Sequence, residues 1–184
     1  MTSLKTGTYT VSKSLKDVLR SNLDSALSTL GSSEGVADYL PPDLQVHNSI
    51  TGSNVYLSDR RNPPQAKSWI LGSVSRKREA LALTIGTSNS EFEVVLLCGV
   101  RQFRRNASTS DPVPFASDAG WQVAGLLAQA CAYVLRRYLA KEAGIYNLGF
   151  GGARNVPLRP QEPAVYEVES RFSVWSRTKD PFLE

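Results

Sequence analysis

The sequence has little of what metal and catalytic centres are built from. Its 184 residues include one histidine, His47, and two cysteines, Cys98 and Cys131, that lie far apart in the chain. The metal-ligand patterns HExxH and CxxC therefore cannot occur. His47 lies in a proline-flanked loop without a cluster of carboxylates beside it, so we interpret it as structural or solvent-exposed. We predict no metal, no cofactor and no enzymatic activity.

Long apolar runs are also lacking. The N-terminal stretch MTSLKTGTYTV has no apolar signal core, and no run approaches the roughly 20 apolar residues that span a bilayer. We therefore expect no membrane partner, and assembly in a cytoplasm. Both cysteines lie in apolar runs, which favours buried thiols that act as small hydrophobic side chains. A disulfide between them is geometrically conceivable if the helix that carries Cys131 packs on the strand that carries Cys98.

The excess of positive charge is small and scattered. Lys and Arg number 21 against 17 Asp and Glu, which gives a net charge of +4. This balance permits contact with nucleic acid but does not require it. The basic clusters fall at predicted turns and element ends: Arg60-Arg61, Arg76-Lys77-Arg78, Arg101 with Arg104 and Arg105, and Arg136-Arg137. We interpret them as solvated surface or ordinary interface pairs, and the sharper alternative is a neighbour with an acidic face, or passing DNA.

Two stretches have the apolar period of an amphipathic helix. The stronger one is Ser117–Gly144, where Ser117 or Asp118 can cap the start and Gly144 can end the helix in a left-handed conformation. The other runs from about Ser12 to Leu30. The broad apolar face of the long helix needs a sheet to cover it.

Several stretches have the composition of strands. Ser68–Ser75 and Glu79–Gly86 are separated by a basic turn or bulged hairpin, Arg76–Arg78, and the strongest strand is Glu91–Arg104. Its apolar centre, residues 94–100, predicts that both faces are covered there. Short β pieces are predicted at Leu44–Val46 and Asn54–Leu57, and residues 87–90 read as a polar hairpin connection. The glycine-rich and proline-rich residues 146–163 predict irregular structure, and the glycine cluster within them reads as a flexible turn.

The last predicted strand, Ala164–Thr178, has one apolar and one wet face. Tyr166, Val168, Phe172 and Val174 share the apolar phase, while Glu167, Glu169, Arg171 and Ser173 share the other. Trp175 joins the wet face. With Arg171 and Arg177 beside it, Trp175 is a candidate interface anchor, and the alternative is that it folds under its own loop. The carboxylate pairs on this strand and at Glu91 and Glu93 are interpreted as keeping strand faces soluble.

The order of these elements predicts a single α+β domain over residues 1–184. It is a mostly antiparallel β-sheet with an N-terminal helix and one long helix packed on one face. Residues 1–11 are an N-terminal arm, 31–67 a proline-rich loop insertion and 179–184 a C-terminal tail.

This pattern of elements resembles the tail-terminator proteins of tailed bacteriophages. The resemblance covers Ser12–Leu30, Ser68–Arg104, Asp118–Ala143 and Val165–Thr178, and the ending VYEVESRFSVWSRTKDP is similar to the final sheet strand of that family. It implies a structural virion protein that forms a homo-oligomeric ring, commonly a hexamer, with no bond made or broken. The ring would cap the tail tube and join it to the neck or connector protein, with the tail sheath as a further neighbour and DNA only passing through the lumen. In that case Arg101, Arg104 and Arg105 are candidates for salt bridges to the next ring.

Three other readings stay open. One is a head-to-tail connector or neck protein of another ring. A second is a nucleic-acid-binding module that uses the basic turn Arg76, Lys77 and Arg78, whose binding would fall steeply with salt. The third is a small enzyme with an unrecognised site.

Overall fold

The computed structural model describes residues 8–31, 55–57, 68–84, 87–101, 119–142, 144–158, 160–161 and 165–179. The helices are α1 (Thr8–Gly31) and α2 (Ala119–Tyr138), and a 3-10 turn at Leu139–Lys141 follows α2. The strands, in chain order, are β1 (Val55–Leu57), β2 (Ser68–Thr84), β3 (Thr87–Arg101), β4 (Ile145–Val156) and β5 (Val165–Lys179).

The five strands of the described residues form one sheet, in the order β1-β2-β3-β5-β4. β1 runs parallel to β2, and every other neighbouring pair is antiparallel. Helix α1 packs over β1 and β2, α2 packs mainly over β3 and β5, and the two helices contact each other. The predicted α+β class, with both helices on one face of a mostly antiparallel sheet, is confirmed.

The core lies between the helices and the inner face of the sheet, by which we mean the face that the helices cover. The predicted apolar faces of both helices and of β5 are confirmed there, since they supply most of the buried side chains. These include Val11, Leu15, Leu19 and Leu23 of α1, Leu127, Cys131, Val134 and Leu135 of α2, Phe92, Val94, Leu96 and Cys98 of β3, and Val168, Phe172 and Val174 of β5.

The outer face of the sheet, opposite the helices, has a smaller apolar cluster of its own. Trp69, Leu71 and Val165 are buried in it, and Leu97 packs against them. Gly99 lies directly across from Trp69 in the ladder between β2 and β3. A Cβ at Gly99 would overlap the indole ring, so this position accepts only glycine while the ring stays in place. The centre of β3 is therefore covered on both faces, as its continuous apolar run predicts.

The structure contradicts the prediction of a basic turn within residues 68–86. Arg76, Lys77 and Arg78 lie inside the single strand β2, which pairs with β3 on both sides of them. The register shifts between Arg76 and Arg78, so this stretch is a bulge in a continuous strand. Residues 87–90 were wrongly predicted as the hairpin connection, since they belong to β3. The link between β2 and β3 falls at residues 85–86, outside the described residues.

Residues 145–156 form a strand where irregular structure was predicted. Hydrogen bonding to β5 holds β4 extended, and its register shifts at Ile145/Asn147 and at Phe150/Gly152. Gly152 has a φ of 116°, which an L side chain rarely adopts, so glycine here permits the bulge. The glycine cluster is thus part of an edge strand, and its interpretation as a flexible turn was wrong.

The ends of other elements differ from prediction by a few residues. Residues 8–11 of the predicted arm are helical, because Val11 continues the buried stripe of α1. Gly144 has a φ of 88°, which confirms the left-handed conformation predicted after the long helix. β1 confirms the short strand predicted at Asn54–Leu57. The predicted piece Leu44–Val46, the helix caps Ser117 and Asp118, and His47 lie outside the described residues, as does most of the 31–67 loop.

Candidate interaction surface

Strand β4 lies at one end of the sheet and brings exposed apolar side chains to that edge. Within the described residues no strand pairs with its outer side. Tyr146, Phe150 and Leu158, on β4 or just beyond it, are 50%, 44% and 44% exposed, and Tyr133 of α2 is 38% exposed. They are the exposed large hydrophobic side chains of the described part of the chain. A long strand edge with unused backbone donors and acceptors is a template for pairing with another chain.

A groove of about 820 Å³ separates α2 from β4. It exists because α2 packs over β3 and β5 and scarcely touches β4. The helix side of the groove leaves room because Gly125 has no side chain and Ala128 and Ala132 have only methyl groups. On the sheet side, Val168 of β5 lies at the floor and Phe150 of β4 lies on the wall.

Gly125 is the least expected residue of the groove wall. Glycine in a helix interior costs about 1 kcal/mol relative to alanine. Apart from its chain neighbours and the nearby backbone of α2, nothing described lies within 4 Å of the place where a Cβ at Gly125 would stand, so packing among the described residues does not require glycine here. Because Gly125 has no side chain, the groove has open space beside it.

Two arginines from the last turn of α2 lie at one end of the groove. The guanidinium carbon of Arg136 lies 5.3 Å from the centre of the Phe150 ring. Arg137 donates a hydrogen bond of 3.0 Å to the hydroxyl of Tyr133 and also lies over the Tyr138 ring. Tyr133, and to a smaller extent Tyr138, raise the pKa of Arg137 above its ordinary value. The Arg137 side chain is therefore cationic. Among the described residues, no carboxylate forms an ion pair with either arginine.

On the outer face, by contrast, the charges form a ladder across four strands. Lys77 of β2 lies 3.2 Å from Glu93 of β3, and Arg171 of β5 lies 3.7 Å from the same carboxylate. Arg171 also pairs with Glu169 at 2.8 Å, and Arg154 of β4 reaches Glu169 at 3.1 Å. Burial acts to raise the pKa of Glu169, but hydrogen bonds and charge from Arg171 and Arg154 outweigh it and hold this pKa below its usual value.

The structure does not bring the predicted basic turn together as one patch. Arg76 lies over the ring of Phe92 on the inner face, with its guanidinium carbon 5.7 Å from the ring centre. Lys77 instead joins the ladder on the outer face, and Arg78 is exposed beyond the bulge. Arg101 is the last residue of β3 and its side chain is not described, while Arg104 and Arg105 lie outside the described residues.

The residues predicted as an anchor on β5 do share the outer face. Trp175 is half-buried rather than fully exposed, and it lies between Glu91 of β3 and Asn147 of β4 in register. Arg177 is exposed and stacks on the ring of Tyr146 at 5.5 Å, and Arg171 is held in the ladder. Glu167 was predicted to be wet but is 3% exposed. Its place in the ladder, across from Gly99 and next to the small apolar cluster, accounts for its burial.

The two cysteines meet in the core as free thiols. Their sulfur atoms lie 3.8 Å apart, joined by a hydrogen bond and not by a disulfide. This confirms the interpretation as buried thiols and the predicted packing of helix on strand. Burial, and then the neighbouring Cys98, raise the pKa of Cys131 well above its ordinary value. Such a thiol resists ionisation and is a poor nucleophile.

Sequence reasoning missed the groove as a site. It noted the pair Arg136-Arg137 as charge, but it had no signal that these side chains meet Phe150, which lies in a stretch predicted to be irregular. Residues 31–35, GSSEG, spell the GxSxG pattern of many hydrolases. That pattern needs a strand before the serine, whereas Gly31 is the last residue of α1.

No protein-family model matches the chain, and no curated protein matches it either. Within the described residues, no group of three or more His, Cys, Asp or Glu side chains could hold a metal ion. No helix in the described part of the chain is long and apolar enough to cross a membrane.

Proposed function

We propose that the protein is a structural subunit of a homo-oligomeric ring, of the tail-terminator kind. The β4 edge carries this proposal, because it combines backbone hydrogen-bonding groups that no described strand pairs with and the exposed side chains of Tyr146, Phe150 and Leu158. The opposite end of the sheet has the short parallel strand β1 and the charged bulge of β2. Unlike ends suit heterologous contacts, which close into a ring when the rotation between subunits allows it.

In this role the protein makes and breaks no bond. The resemblance in element order supplies the identity of the neighbours. The ring caps the tail tube, ends its growth and offers its other side to the neck or connector, in the virion and in the host cytoplasm during assembly.

The oligomeric mass tests the proposal. Native mass spectrometry of the purified protein, alone and with its tail-tube protein, is expected to show a closed oligomer. The double variant Tyr146→Glu with Leu158→Glu is expected to shift the mass towards the monomer, because it puts carboxylates at the apolar edge. The matched control, Ser21→Glu with Ser28→Glu, adds the same charge to exposed positions of α1 and should leave the mass unchanged. A wild-type protein that stays monomeric with and without the tube protein contradicts the ring.

A further inference from the structure

We propose that the groove between α2 and β4 is a docking site for an extended acidic segment of a partner protein. The segment adds to the outer side of β4 as a further strand and places its side chains over the groove. This inference deepens the proposed function and rests on it in one respect: the segment is the one that the next subunit of the ring places at the β4 edge, and a free peptide of the same chemistry competes with it there.

The backbone of β4 accounts for the extended form of the partner. Along the twelve residues Ile145–Val156, only β5 pairs with β4 among the described residues. The outward N–H and C=O groups match another polypeptide strand, and main-chain hydrogen bonds supply much of the affinity in this mode of recognition. The backbone of a nucleic acid has no such alternation of donors and acceptors.

The charges of the groove account for the acidic character of the segment. Among the described residues, Arg136 and Arg137 lie against aromatic rings and have no carboxylate partner, whereas the cations of the outer face, Lys77, Arg154 and Arg171, already have carboxylate partners. A carboxylate that enters the groove beside Phe150 meets two guanidinium groups whose planar donors suit it.

The small residues on the helix side of the groove leave space for a side chain of the partner segment. A side chain on an added strand that points to the inner side reaches the open space beside Gly125 and Ala128. The apolar floor at Val168 and the ring of Phe150 give it an apolar contact. The apolar and acidic side chains both point to the inner side, so they occupy every second position of the partner strand, one after the other, and the positions between them face the outer side.

The direct test measures binding of a short fluorescent peptide in which every second residue is glutamate or valine in turn and threonine fills the positions between. By fluorescence anisotropy at low salt, the wild type is expected to bind it and to lose affinity as salt rises. Arg136→Glu should weaken binding about tenfold or more, because it replaces an attractive charge pair with a repulsive one. The control Arg20→Glu makes the same reversal on the exposed side of α1 and should leave the affinity unchanged.

A second variant separates groove blockage from misfolding. Gly125→Leu fills the groove without overlapping any heavy atom near the Cβ position, and it replaces glycine in a helix. It is expected to abolish peptide binding while its melting temperature stays equal to the wild type or rises. Hydrogen exchange should show that the peptide protects backbone amides of β4 in the wild type and not in this variant.

Three outcomes overturn the inference. One is equal affinity of the peptide for wild type, Arg136→Glu and Gly125→Leu. Another is equal binding of a matched peptide with lysine in place of glutamate. The third is stronger binding of oligothymidylate than of the acidic peptide, lost in Arg136→Glu, which would assign the groove to nucleic acid. The ring is tested separately by the oligomeric mass. Peptide binding to a protein that is strictly monomeric supports this inference and refutes the ring. A ring that does not bind the peptide supports the ring and refutes this inference.

Discussion

Replacing Gly99 with alanine should destabilise the protein through Trp69. The new methyl group would overlap the Cε2, Nε1 and Cζ2 atoms of the fully buried indole ring. Modest overpacking costs about 1–3 kcal/mol. Here the overlap is with the ring itself, so the indole must leave its site, and the loss approaches the roughly 3–5 kcal/mol of a buried tryptophan truncation.

A smaller effect of the substitution acts in the opposite direction. Alanine restricts the unfolded chain more than glycine does, which stabilises by about 0.4–1 kcal/mol. The expected net loss is roughly 2–4 kcal/mol. For a chain of this size that corresponds to a melting temperature lower by about 4–16 °C.

Urea denaturation followed by circular dichroism measures this loss, and tryptophan fluorescence reports whether an indole has moved towards solvent. The matched control is Gly149→Ala in β4, where the new Cβ would lie 3.8 Å from the Cβ of Ser173, an ordinary contact. Its stability should stay close to the wild type. In a Trp69→Leu background the Gly99→Ala penalty should shrink, since the clashing ring is gone. If Gly99→Ala is as stable as Gly149→Ala, or if its penalty persists without the indole, the argument from ring overlap is wrong.

Two further predictions concern the pH dependence of stability. Because Cys131 has a raised pKa in the folded state, the stability it confers is complete below the unfolded-state pKa of about 8.5 and is lost as the pH rises towards the folded-state value. Urea titrations across this range should show a fall that is missing in Cys131→Ala, and an identical slope in both proteins would contradict it. Glu169 has a lowered pKa, so its contribution is present above the unfolded-state value of about 4.3 and is lost as the pH falls through the lower folded-state value. Glu169→Gln should flatten the acid side of the stability profile, and an unchanged acid side in this variant would contradict the role of the ladder.

The helices and the core face were predictable because their signal is local. The three- and four-residue steps of α1 and α2 continue for many turns, and the alternation in β5 continues over most of its length. Each of these patterns has one arrangement that buries its apolar side chains. α1 starts a few residues earlier than predicted because Val11 continues its buried stripe.

The errors in β2 and β4 arise from treating composition as local structure. Arg76-Lys77-Arg78 has the composition of a turn, but pairing with β3 on both sides carries the chain straight through it. The glycines of β4 lower its intrinsic strand preference, yet β5 supplies the hydrogen bonds that hold it extended. In both strands the extended conformation depends on pairing with a strand that is distant in sequence. A window of neighbouring residues therefore cannot predict it.

The groove could not be predicted because it depends on where α2 lies relative to the sheet edge. Gly125 is unremarkable in sequence, and only the position of β4 shows that its missing side chain leaves room. The same placement divides the arginines of this end of the molecule into two sets. Arg154, which also lines the groove, and Arg171 have carboxylate partners on the outer face, while Arg136 meets an aromatic ring in the groove. Exposed, already paired cations add little to the attraction of a further anion. An acidic partner should therefore approach the β4 edge from the helix side, and neutralising Arg136 should matter more to its binding than neutralising Arg154.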